Sequence, residues 1–464
     1  MGFQIVVLWS DMLVWLLVAA GIGVGVLIRR TPPLLAAWRR VGANRVGMAS
    51  ATVLLAFILV GLLDSLHYRP ALEGKPGQKT QYAVDVLSAL DALVTPLRTR
   101  NEKTYSEPFA TRLYAKETVD VPGQGAVREY PRLKYGGKHL AGREDEVAAD
   151  AGFTAFRAGV LAFLGWLAVA GLAAAAVGRG KAAGSGWQRI WRGDTAFAWN
   201  AVLTALGLML LVGVPLFWLS GQYHVFGTDK VGQDVLYQIL KSVRTGLIIG
   251  LVTTLVMLPM AVLLGIVAGY FRGWVDDAIQ YVYTVLNSIP GVLLIAAAVL
   301  MMQVVIDTHP QWFSTAAERA DLRLLALCFI LGITSWTGLC RLLRGETLKL
   351  RELEYIQAAQ AFGVSSWRII IRHILPNLMH IVIIALVMDF SGLVLAEAVL
   401  SYVGIGVDPT MTSFGTMINN ARMELGREPV VWWSLAAAFA AMFILVLAAN
   451  LFADAVRDAF DPRA

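Results

Sequence analysis

Nine runs of about twenty apolar residues, each long enough to cross ~30 Å of hydrocarbon, constrain this chain more than any other feature. They lie near residues 5–28, 47–66, 153–178, 197–219, 246–270, 284–304, 323–340, 378–403 and 431–453. In lipid every backbone N–H and C=O must be paired within the chain, so such runs read as helices. The expected fold is an all-α polytopic membrane protein. Composition agrees: 57% of residues are hydrophobic and only 16% are charged, too few to clothe a soluble protein of 464 residues.

Charge orients the helices. Loop 29–46 carries Arg29, Arg30, Arg39, Arg40 and Arg45 with no acidic residue, which marks it as cytoplasmic. Alternation then puts 67–152, 220–245 and 305–322 outside, and 179–196, 271–283, 341–377 and the C-terminus inside. Two loops support this frame independently. Loop 179–196 holds Arg179, Lys181, Arg189 and Arg192 against Asp194 alone, and loop 341–377 holds Arg341, Arg344, Lys349, Arg351, Arg368 and Arg372. The net charge of +6 therefore reads as basic cytoplasmic loops rather than a nucleic-acid surface. No basic residue precedes the first run and arginines follow it, the reverse of a signal peptide, so its N-terminus is expected outside.

Several chemistries are missing. No His-Glu-x-x-His, Gly-x-Ser-x-Gly or phosphate-loop pattern occurs, and Gly178-Arg-Gly-Lys181 lacks the spacing and the hydroxyl residue of a nucleotide site. The six histidines show no ligand spacing, and Cys328 and Cys340 share one apolar run, so neither a metal nor a disulfide is expected. The chain is expected to catalyse nothing itself and to hold no cofactor. Energy for any work would come from a gradient or a partner.

Polar residues within the spans are the remaining candidates, because they are costly in lipid. Asp389 and Glu397 lie eight residues apart on the eighth run, ~12 Å along a helix axis. They read either as the lining of a solute path, meeting a substrate amine, or as fasteners between helices. Asp11 and Arg157 could pair across the first three spans. Gly246/Gly250 and Gly265/Gly269 form two faces that permit close helix packing. Segment 67–152 is long enough for a small folded cap, or it is a partly ordered loop.

Residues 354–377, EYIQAAQAFGVSSWRIIIRHILPN, interrupt the apolar pattern with a polar helix-break-helix segment. A helix through Phe362 is expected to end at Gly363, and Ser365 or Ser366 to cap a second helix through Trp367, Ile370, Ile371 and Ile374. Pro376 opens the next span. Ala358, Ala359 and Ala361 keep one face slim enough for a groove on a soluble partner. An amphipathic loop lying on the bilayer is the plainer reading.

This stretch resembles the "EAA" coupling loop of ABC importer permeases (Glu-Ala-Ala, three residues, Gly, nine residues, Ile, one residue, Leu-Pro). Gln357, Ala358, Ala359, Gly363, Leu375 and Pro376 occupy its positions, with Gln357 in place of the Glu and His373 in place of the Ile. Three further segments resemble the C-type subunit of the dipeptide, oligopeptide and nickel group. They are Phe226-Gly-Thr-Asp-Lys-Val-Gly-Gln-Asp-Val-Leu236, Glu397-Ala-Val-Leu-Ser-Tyr-Val-Gly-Ile-Gly406 and Asp454-Ala-Val-Arg-Asp-Ala-Phe-Asp-Pro-Arg463. The first contains Gly227, Thr228, Asp229, Gly232 and Asp234, with Gln233 where the family has Arg.

The resemblance covers about 196–464 and implies a six-helix permease core there. Residues 1–195 would form an extension of three helices around a periplasmic segment, 67–152. It also implies a second homologous permease, two cytoplasmic ATPases that bind ATP and magnesium, and a periplasmic solute-binding protein that delivers peptide. The protein would sit in the bacterial inner membrane, N-terminus periplasmic and C-terminus cytoplasmic. Import of nickel or another small solute, a gradient-driven carrier and a membrane sensor are the competing readings. No inverted repeat of the carrier kind is evident.

Overall fold

The structure, a computed structural model, describes residues 2–72, 81–121, 125–140, 142–178, 185–313 and 315–460. Residues 179–181 and 461–463, which the sequence reading used, lie outside the described residues. Among the described residues nine helices are long and apolar enough to span a membrane: Trp9–Arg30, Arg45–Asp64, Glu144–Val177, Trp199–Ser220, Val235–Phe271, Gly291–Thr308, Ala316–Arg351, Ser366–Val403 and Trp433–Phe460. The fold is that of an all-α polytopic membrane protein.

Several helices overrun the apolar runs. The fifth begins at Val235 rather than near 246, because the Asp234 carboxylate accepts the Leu236 N–H at 2.8 Å and caps the first turn. Residues 5 and 6, expected to begin the first helix, instead end the strand Phe3–Val6. Apolarity marks what lipid can cover, whereas caps and strand partners decide where a helix starts.

Two compact units emerge, and neither boundary falls at residue 195. The first comprises Met1–Val7, Gly23–Thr245 and Thr412–Phe452. Here Phe3–Val6, His67–Pro70 and Leu87–Ser88 form an antiparallel three-stranded sheet, with Phe3 opposite Pro70 and His67 opposite Ser88. The described residues of segment 67–152 are thus folded. They add the hairpin Glu117–Val121/Gly125–Glu129 and a short helix, Ala89–Leu93, whose Ser88/Asp91 capping box satisfies its first turn. Leu90, Val94 and Leu97 are buried against Leu236 and Tyr237 of the fifth membrane helix. The third and fourth membrane helices pack closely: the Trp166 indole donates to the Leu203 carbonyl at 2.7 Å, over the space Gly207 leaves open.

The second unit comprises Leu8–Ile22, Gly246–Met411 and Ala453–Ala464. Its small residues do what their spacing suggested. A Cβ on Gly250 would fall 2.4 Å from the Phe390 ring, one on Gly265 2.7 Å from the Cys340 carbonyl oxygen, and one on Gly269 2.6 Å from Thr347. Several charges in this unit are matched locally. Arg344 grips Asp276 with a two-pronged bond of 2.6 and 2.7 Å, and Arg323 spans Asp307 and Asp408. Asp321 accepts from the backbone and hydroxyl of Ser10.

Candidate functional site

The polar segment forms a helical hairpin within the second unit. Helix Glu354–Ala361 ends at Phe362, and Gly363 takes φ +73°, the left-handed conformation that glycine adopts at least cost. No atom lies within 4 Å of a Cβ built there, so the backbone angle alone selects glycine. Ser365 occupies the cap position of Ser366–Ile369, but its side chain makes no capping bond. Its carbonyl instead accepts from the amides of Arg368 and Ile369 at 2.9 and 3.1 Å.

The expected second α-helix is also corrected. Ile370–Ile374 winds as a π-turn before Leu375–Val403, which has Pro376 in its first turn. Neither correction has a clear signal in the residue types.

The hairpin has two faces. Ile356, Ile369 and Ile374 are fully buried in a cluster with Met257, Ala261, Tyr270 and Trp336. On the other side Gln357, Ala358 and Ala361 are exposed, and Phe362 at the tip is 87% exposed. Ala359 is half-buried, and Gln360 donates to the Tyr270 hydroxyl at 3.3 Å. Gln357 donates to the Glu352 backbone carbonyl at 3.2 Å and lies 3.5 Å from its carboxylate, while that carboxylate pairs with Arg272. A second negative charge at 357 would therefore sit beside Glu352.

The loop 226–236 lies in the first unit, and it is a structural knot. Thr228 donates to the Thr104 carbonyl at 2.9 Å and accepts from the Ser106 amide at 2.7 Å. The Trp433 indole closes on the Thr228 carbonyl at 3.0 Å. Gly227 and Gly232 have φ of +70° and +76°, and a Cβ on Gly232 would come within 1.9 Å of the Glu102 carbonyl oxygen. Asp229 staples the turn by accepting from Val231 and Gln233 amides and from Gln238.

His224 joins two segments of the chain at the base of this knot. It lies 2.7 Å from Asp234 and 3.4 Å from Glu102, both nearly fully buried. Burial works against its protonation, but the two carboxylates outweigh that, and its pKa is pushed up to about 9. Glu102 also accepts the amides of Lys134, Tyr135 and Gly136. Burial pushes its carboxyl up, yet these bonds and His224 hold it below the usual range. Glu102 and His224 drew no notice in the sequence, since they lie 122 residues apart.

A second buried group ties the same segment to the fifth helix. Lys241 bonds Asp64 at 2.6 Å and Asp91 at 3.2 Å, and the Tyr237 hydroxyl donates to Asp91 at 2.8 Å.

The intramembrane carboxylates divide. Glu397 is buried and accepts from Ser401 one turn on, at 2.5 Å, just before Gly404 ends the helix with φ +86°. Asp389 is half-buried and has no hydrogen-bonding or ionic partner among the described residues. Asp11 accepts from the Leu8 amide at 3.2 Å, and Arg157 lies over the Phe153 ring.

Comparison with known proteins agrees with this architecture. Residues 261–464 match the family described as "Binding-protein-dependent transport system inner membrane component". The glutathione transport system permease protein GsiD of Pectobacterium atrosepticum is 31% identical over 321 residues, covering 64% of this chain and 98% of that one. The dipeptide permease DppC of Lactococcus lactis is 29% identical over 60% of this chain and 74% of its own length. The oligopeptide permease OppC of Mycobacterium bovis is 32% identical over 52% of this chain and 77% of its own. The chain belongs to this family of binding-protein-dependent inner-membrane permeases, and it is a multi-pass inner-membrane protein.

Proposed function

We propose that this chain is the permease subunit of an ATP-binding-cassette importer that moves di- and oligopeptides from periplasm to cytoplasm by alternating access. The observation that carries this reading is the hairpin 354–377. An exposed face of Gln357, Ala358 and Ala361 and an 87% exposed Phe362 stand on three isoleucines buried among the membrane helices. An exposed apolar tip on a rigid stem suits insertion into a partner's groove and transmission of its motion. Gln357, Ala358, Ala359, Gly363, Leu375 and Pro376 form this contact.

Two cytoplasmic ATPases would hold ATP and magnesium, a second permease would complete the pore, and a periplasmic binding protein would supply peptide. This chain performs no catalysis and binds no cofactor. Gly227, Thr228, Asp229, Gly232 and Asp234 shape the periplasmic entrance, and Asp389 faces the solute path. Glu397, held by Ser401, serves as a fastener. The N-terminus is periplasmic and the C-terminus cytoplasmic. Pairing of Phe3–Val6 with His67–Pro70 supports the first assignment, because both strands must lie on one side of the membrane. We take residues 196–464 as the permease and 1–195 as its extension.

Purification in mild detergent tests the assembly. Two ATPases and a second permease should be retained, and proteoliposomes with binding protein should accumulate labelled dipeptide on addition of ATP. A stable solitary protein, or accumulation of nickel but not dipeptide, would overturn the reading.

A further inference from the structure

A groove of about 640 Å³ opens within the first unit between the second, fourth and ninth membrane helices. Its length is walled by Val53, Ala205, Leu208, Leu447 and Leu451, with almost no polar surface. One end differs. Arg45 and Asn200 line it there with Trp191.

Arg45 is exposed and has no hydrogen-bonding or ionic partner among the described residues. A point one Cβ bond from Gly193 lies 3.0 Å from an Arg45 guanidinium nitrogen and 4.0 Å from the Asn200 amide nitrogen. Gly193, at φ +81° and without a side chain, lets the Arg45 guanidinium pack close to its backbone, with the Asn200 amide nitrogen nearby. Helices Arg45–Asp64 and Trp199–Ser220 also begin at this end of the groove, adding the partial positive charge of their N-termini. Arg39, Arg40 and Arg192 stand on the same two loops against Asp194 alone.

From this arrangement we infer that the groove is a binding site for one anionic phospholipid, with its phosphate at Arg45 and Asn200 and its acyl chains between the three helices. Charge complementarity selects the occupant. The mouth belongs to the loops whose arginines mark them as cytoplasmic, and that leaflet carries the anionic lipid. Apolar walls exclude a soluble anion from the length of the groove, and the open basic mouth favours a charged headgroup over a neutral one. A bound lipid would seal the ninth helix, which lies within the region matching the family, to the second, which precedes it. The site is independent of which solute the protein carries.

Native mass spectrometry of the assembled transporter, exchanged into phosphatidylglycerol or phosphatidylcholine, tests this. Phosphatidylglycerol should stay bound at activation energies that strip phosphatidylcholine. Arg45→Gln should reduce its retention about five-fold, since one arginine near anionic lipid contributes ~1 kcal/mol. Ala205→Trp, which fills the acyl channel, should abolish retention, with an unchanged melting temperature showing that the fold survives. Equal retention of the two lipids by the unaltered protein, or unchanged phosphatidylglycerol retention in Arg45→Gln, would overturn the inference. So would cross-linking from Leu208 that finds a helix of the partner permease filling the groove.

Discussion

Two side chains show how local charge sets behaviour that residue type alone does not. Gln357 is tied to Glu352, which pairs with Arg272, so the carboxylate usual in the family at 357 would face a like charge here. Gln357→Glu should lower binding-protein-stimulated ATPase activity of the assembled transporter about two-fold, the scale of an exposed like-charge contact. Adding Glu352→Gln should restore the rate. An unchanged rate in the single variant would refute the contact's role. His224, with its pKa raised to about 9, gives a pH dependence of definite sign. Its contribution is complete below the ordinary histidine value, ~6.5, and is lost as pH rises through about 9. The melting temperature should fall by on the order of 2 °C over that upper range, and His224→Gln should flatten the fall. A fall of equal size in the variant would assign it elsewhere.

At the scale of elements, the coupling hairpin works through the contrast between its faces. Ile369 is fully buried and lies one residue before the π-turn, so it anchors the second arm to the membrane helices. Ile369→Ala should destabilise the hairpin by about 2–5 kcal/mol through the cavity left behind. The expected outcome is weakened coupling with the ATPases still bound: peptide uptake falls several-fold while copurification persists. Loss of the ATPases from the complex would instead show that the anchor sets binding. Gly363 and Pro376 were legible in the sequence, because each constrains the backbone by itself. The π-turn was not, since Ile370–Ile374 reads as a plain apolar stretch and its winding depends on what it packs against. The loop 226–236 shows the same limit. Its glycines marked tight backbone, but only the fold reveals that Glu102 and Ser106 are what press against them.

Over the whole molecule, the chain was most legible where solvent is lipid. The nine helices and their class follow from the requirement that each apolar run satisfy its own backbone bonds, a condition local to each run. The hairpin's place in the chain followed equally from Gly363, its alanines and Pro376. Segment 67–152 was illegible by comparison. Its sheet draws strands from residues 3–6, 67–70 and 87–88, and its buried ties run from Glu102 to His224 and from Asp91 to Lys241. The groove at Arg45 is of the same kind, with walls from helices about 150 and 240 residues apart in sequence and a donor pair brought together over Gly193. By itself, then, the sequence determined which segments enter the membrane and where the backbone must turn, because those rest on near-neighbour chemistry. Only the tertiary structure decided which carboxylate is paired, which arginine is left open and what presses on each glycine, because those depend on contacts between residues that chain order keeps far apart.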